Sequence, residues 1–225
     1  MAAPIAHEPP SIQQAWQAFL QHIPVVLVSW VGSIVLSLLA VLVYGLTLAV
    51  VSAILGSSDA AVGFGAVLAQ LVQLPLSILA SLLSVLLVAV PALYYERGEV
   101  VTISVAAQLL SGRWWRYVLA GLFFSLVTTI GFLLCILPGL AVALVTPVFV
   151  NRIFVTEMSI GEAFANSFQV VYRSQNGLSF VGLEVLVGIV VGLLALLTCG
   201  LGGFVVIPMA SFFLQNVAYE RGLLR

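Results

Sequence analysis

Glu184 is the residue whose type and setting point most directly to chemistry. It stands inside an apolar run, 178–197, that carries no other charge. A carboxyl group that deep in a membrane-length run is costly, and such groups mark functional sites by default. Gln215 and Asn216 fall at a similar depth in the last apolar run, and Asn151 near that depth on the fourth predicted span, 140–156. Glu184, Gln215, Asn216 and Asn151 therefore form a candidate intramembrane polar cluster. Its chemistry would be that of a proton or cation site, or of a pocket for a lipid headgroup. The plainer alternative is a set of packing hydrogen bonds, each contributing about 0.6–2 kcal/mol. Gln70 and Gln73, just before Pro75, make a second polar spot. It either lies at the membrane surface with the rest of 62–74 or lines a pore.

Several other chemistries are excluded by residue type. All seven basic residues are arginine, so a Schiff base to retinal or pyridoxal and a Walker A loop cannot form. Cys135 and Cys199 lack the spacing of a metal or redox motif. Two inert apolar thiols are expected, with a disulfide as the alternative in an oxidising compartment. His7 and His22 are isolated in sequence, which predicts no metal site. There is no Ser-His-Asp set, no carboxylate pair and no glycine-rich phosphate loop, so no enzyme and no cofactor are expected. A net charge of −1 offers no basic footprint for nucleic acid.

The elements that must hold these residues follow from composition. The chain has 225 residues, 63% of them hydrophobic and 7% charged. Soluble domains carry about 25% charge, so an all-α integral membrane protein is expected. The apolar runs are 23–55, 60–95, 117–150 and 178–218, and a crossing needs about 20 residues. The last two runs contain turn chemistry, Leu137-Pro138-Gly139 and Gly200-Leu201-Gly202-Gly203, so Pro138, Gly139, Gly202 and Gly203 are assigned to hairpin turns. Pro75 is expected to break or kink the second run. Six transmembrane helices in three hairpins result, at 24–50, 70–95, 116–135, 140–156, 178–198 and 203–219. With six crossings every arginine shares one side with both termini, and an odd number would scatter them. The positive-inside rule makes that side cytoplasmic. Trp114, Trp115, Tyr117 and Tyr172 gather at the same predicted interface, as anchoring aromatics do. Residues 1–10, with three prolines, are expected to be a flexible tail ahead of a single membrane domain, 11–225.

An internal repeat runs through that domain. Ser11-Ile12-Gln13-Gln14-Ala15, Thr102-Ile103-Ser104-Val105-Ala106 and Ser159-Ile160-Gly161-Glu162-Ala163 each place a hydroxyl N-cap before a helical apolar pattern. Each predicts a short interfacial amphipathic helix ahead of a hairpin. Tyr95-Glu96-Arg97-Gly98 recurs as Tyr219-Glu220-Arg221-Gly222. Three copies are expected, at 11–98, 102–157 and 159–222. Ser29, Ser33 and Ser37, then Ser77 and Ser81, then Gly188 and Gly192, repeat every four residues and predict close helix packing.

The order Ile136-Leu137-Pro138-Gly139, apolar span, Glu157, amphipathic 164–173 and Gly-rich turn 200–203 resembles a broad group of poorly characterised prokaryotic six-span membrane proteins. That group includes the membrane domain attached to some glycerophosphodiester phosphodiesterases. The resemblance is best over 90–225. It implies a scaffold in the plasma membrane, or in a thylakoid membrane, and no transfer of the phosphodiesterase activity, whose soluble domain is not expected within this length. The functional expectation is a non-enzymatic scaffold or accessory subunit that contacts lipids and other membrane proteins, or copies of itself, and organises lipid. The competing expectation is a small transporter or lipid-handling protein that uses Glu184.

Overall fold

The computed structural model describes residues 9–56 and 58–224. The tail through Glu8 with His7, and also Ser57 and Arg225, lie outside the described residues. Among the described residues the chain is all helical: α1 (Ile12–Gln21), α2 (Ile23–Leu55), α3 (Asp59–Arg97), α4 (Ile103–Gly112), α5 (Trp114–Leu134), α6 (Ile136–Ala143), α7 (Thr146–Val155), α8 (Ile160–Arg173), α9 (Gln175–Leu197) and α10 (Gly203–Glu220). Five stretches are long and apolar enough to cross a membrane: α2, α3, α5, Ile136–Val155 and α9. α10 has 18 residues with Pro208 inside it. Gln215, Asn216 and Glu220 lower its apolar character, so the expected sixth crossing does not reach the same standard.

The short helices start where hydroxyl residues stand. Ser11, Thr102 and Ser159 accept the N–H of Gln14, Val105 and Glu162 at 3.1, 3.4 and 3.3 Å. Glu162 returns the bond to the Ser159 N–H at 3.0 Å, a reciprocal cap that satisfies two orphan donors. The repeated Tyr-Glu-Arg-Gly motifs each end a long helix. Gly98 and Gly222 both take positive φ, 69° and 70°, a conformation that glycine enters without steric cost.

Three expectations about breaks are corrected. Pro75 does not interrupt α3, which runs unbroken for 39 residues. At about 1.5 Å per residue that is about 58 Å, well beyond a hydrocarbon core of about 30 Å. The turn after α5 falls at the extended Cys135, and Pro138 and Gly139 lie in the first turn of α6. Proline at 138 loses nothing, because an N–H at that position would have no intrahelical acceptor. The third correction concerns 140–156, which is two helices, parted at Leu144 and Val145 ahead of Pro147.

By its internal packing the chain divides into two compact units, Leu27–Val85 and Met1–Val26 with Leu86–Arg225. In the first, α2 and α3 run antiparallel, since Ser33 meets Ser84 at 3.1 Å while Gly65 packs on Leu48 and Val51. In the second, α5 runs antiparallel to α6 and α7. Gly131 sits so close to Gly139 that a Cβ on it would be 2.9 Å from the Gly139 Cα. Further along, Phe124 stacks on Phe149 and Tyr117 on Phe154. α7 and α10 run parallel, joined in step at Pro147–Gln215, Asn151–Tyr219 and Arg152–Leu223. The C-terminal ends of α3, α7 and α10 thus gather at one end of this unit, where Arg97, Arg113, Arg116 and Arg221 also lie.

Candidate functional site

α9 and α10 form an antiparallel pair. Arg221 donates to the Ser179 Oγ at 2.7 Å near one end, and the turn 198–202 closes the other. Between them and α6 lies a cleft of about 580 Å³ lined by Glu184, Gly188, Leu140, Ile207, Ser211 and Leu214, among others. Nearly all of its wall is aliphatic. Glu184 is half-buried, and its Oε2 is sealed from solvent with no hydrogen-bond partner. Tyr172 of α8 lies close by and donates to the Ala141 carbonyl at 2.8 Å. Burial, and to a lesser degree the Glu184 carboxyl, push its hydroxyl up.

The rest of the expected cluster is elsewhere. Asn151, Gln215 and Asn216 are all buried, but each serves a different junction. Gln215 Nε2 donates to the Pro147 carbonyl at 2.8 Å, and Asn216 Nδ2 to Gln14 Oε1 at 3.3 Å. Asn151 Nδ2 donates to the Tyr219 Oη at 3.1 Å, and that hydroxyl donates to Glu96 Oε2. No hydrogen bond joins any two of the four expected residues. The reason is rotation about the helix axis: depth can be counted along a sequence, but α9 is apolar on every side and offers no preferred face.

Two features were not expected. The repeated motifs meet each other, with the Tyr95 and Tyr219 rings 6.4 Å apart and Glu96 accepting from Tyr219. Their identity in sequence was the available signal. The arginines also close helix ends. Arg116 donates to the Ile153 and Thr156 carbonyls at the end of α7, and the buried Arg152 donates to the Leu223 carbonyl beyond α10. Cations suit helix C-termini, where orphan carbonyls concentrate negative charge.

The small-residue faces divide in outcome. Ser29 and Ser33 are buried, and the Ser33 hydroxyl faces the Ala80 carbonyl at 3.3 Å, while Ser37 lines a shallow groove beside it. The exposed Ser81 hydroxyl donates to the Ser77 carbonyl along α3 itself, at 2.9 Å. Gly188 and Gly192 have open space where a Cβ would stand, so they form no internal contact. Cys135 and Cys199 are exposed free thiols at the two turns.

At the surface of the arginine end, Arg113 and Glu157 form a two-pronged ion pair at 2.6 and 2.7 Å. The bond from Arg113 holds the Glu157 carboxyl below its ordinary range. The Ser159 cap does the same for Glu162. His22 is enclosed: its Nδ1 faces the Ala18 carbonyl at 2.7 Å, and its Nε2 accepts from the Val101 N–H at 3.0 Å. Burial holds this imidazole below its ordinary value. Among the described residues no three His, Cys, Asp or Glu side chains are grouped to hold a metal.

No known family, no curated protein and no solved structure matches this chain.

Proposed function

We propose that this is a non-enzymatic membrane scaffold that orders the lipid around its arginine end and docks other membrane proteins or copies of itself. Six crossings, with both termini on the cytoplasmic side of a prokaryotic plasma or thylakoid membrane, accompany this reading. Its support is the antiparallel pairing of α10 with α9 and the gathering of arginines at one end.

The observation that carries the reading is the division of α1 into three faces. At about 100° per residue, Ala15, Ala18 and Phe19 make a buried sector. Ile12, Trp16 and Leu20 make an exposed apolar sector beside it. Gln13, Gln17 and Gln21 make an exposed polar sector beyond that. Going round the helix, the order is protein, oil, water, which is the order met by a helix lying in the plane of a membrane surface while anchored to its own protein. α8 differs in degree. Its Phe164, Phe168 and Tyr172 row packs in series, with Phe164 reaching Phe123 and Phe149, so its apolar face braces α5 and α7.

Spin labels at single cysteines test the reading, in a background with Cys135 and Cys199 replaced by serine and the protein in lipid vesicles. Positions 12, 16 and 20 are expected to be reached by oxygen dissolved in the bilayer, and 13 and 17 by a water-soluble nickel chelate. Equal water access at 16 and 17 overturns the placement of α1. Gentle detergent extraction tests docking: a species larger than the 23.9 kDa chain with its detergent is expected, and a lone monomer overturns the scaffold.

A further inference from the structure

Glu184 is an acid in a cleft that supplies no opposite charge. The lining contains no arginine, and the chain contains no lysine. Arg113 is committed to Glu157, Arg116 and Arg152 to helix-end carbonyls, and Arg221 to Ser179. Of the hydroxyls lining the cleft, that of Thr146 is already given to the Ala143 carbonyl. An uncompensated carboxyl group in apolar surroundings is costly, and a cation within hydrogen-bond reach offsets that cost.

The shape of the cleft adds a second constraint. Its α9 wall runs from Glu184 to Val191, about 10 Å at about 1.5 Å per residue. Glu184 stands at the end nearer the arginines, and the remainder towards Ile207 is aliphatic. Gly188, with open space at its Cβ position, leaves the middle of that wall bare. A volume of about 580 Å³ falls within the range of small-molecule sites, about 300–1,000 Å³. One acid at the head of an oily trough matches a molecule with one cation at the head of an oily chain.

We infer that this cleft binds a membrane-dissolved alkylammonium amphiphile, with its charged nitrogen against the Glu184 carboxyl and its chain along Gly188 towards Ile207. The ligand enters from the bilayer, not from water, and the assignment stands apart from the scaffold reading.

The test uses the full chain in a neutral detergent at pH 7, with bound ligand counted by native mass spectrometry. The probes are dodecylammonium, dodecanol and butylammonium. One dodecylammonium per chain is expected, with binding weakened at least tenfold in Glu184→Gln, which keeps size and hydrogen bonding but removes the charge. Dodecanol is expected to bind more weakly than dodecylammonium to the wild type and equally to both proteins. Butylammonium is not retained if the chain is part of recognition. Gly188→Leu, which fills the trough away from the carboxyl, is expected to expel dodecylammonium while leaving the thermal unfolding temperature of the ligand-free protein in place. Equal dodecylammonium binding by wild type and Glu184→Gln overturns the role of the charge. Equal retention of butylammonium and dodecylammonium overturns the amphiphile, and absence of any bound amine overturns the site.

Discussion

Asn151 and Glu184 are both polar side chains on apolar helices of the same compact unit, yet their surroundings are opposite. Asn151 is enclosed and hydrogen-bonded through Tyr219 to Glu96, a chain that ties α7, α10 and the end of α3 together. Glu184 has an unmatched oxygen and faces open volume. A buried polar group with its partner holds helices in register, while the same kind of group without one leaves an unmet and costly hydrogen-bonding capacity. The difference is one of partners, since both side chains lie on membrane-length apolar stretches, Ile136–Val155 and α9.

The largest effect is expected from breaking the paired side. Tyr219→Phe removes the hydroxyl shared by Asn151 and Glu96 and should cost about 1–3 kcal/mol, read from unfolding by added ionic detergent in mixed micelles. A cost no greater than that of an exposed tyrosine substitution would show that the network holds nothing. Acid should act next, through His22. Burial lowers its folded value, so the folded state favours the neutral ring. Its contribution is complete above the ordinary value of about 6.5 and is lost as pH falls through the lowered folded value. Unfolding curves recorded across that window should lose stability in the wild type and flatten in His22→Gln. If both proteins respond alike, another group carries the acid response. For the unpaired side the sign is the measurement. Glu184→Leu should leave stability unchanged or raise it by about 1 kcal/mol or less, and a clear loss would mean that the carboxyl has a hidden structural partner. The smallest effect belongs to the exposed ion pair. Glu157→Gln should change stability less than Tyr219→Phe does, and the small difference should vanish in high salt.

The short capped helices were legible because a cap is a local device: one hydroxyl at a fixed offset, seen at Ser11, Thr102 and Ser159, determines where a helix begins. Membrane-length helices were legible from apolar run length alone. The glycine-marked breaks were legible too, but those expected at prolines were not. Pro138 and Pro147 each sit in a first turn, where proline is silent, and Pro75 is carried within a long helix. The same residue type therefore gave two different outcomes, and in neither did it mark a break where one was expected. The expected cluster dissolved for a different reason. Residues at equal depth on neighbouring helices meet only if both point inward, and α9 has no polar stripe to set its rotation. Gly188 and Gly192 show the same limit: small residues permit close approach, but a facing helix is also required.

The interruption between α6 and α7 has a consequence for biosynthesis. Pro147 has no N–H to give the Ala143 carbonyl, and the Thr146 hydroxyl takes its place. The Ala141 and Pro147 carbonyls are met by Tyr172 of α8 and Gln215 of α10. Both of those side chains are translated later than the segment they complete. As the ribosome releases Ile136–Val155 into the membrane, that segment therefore enters unfinished, with backbone acceptors that lack their final donors. Arrival of α8, and then of α10, is the step that supplies those donors.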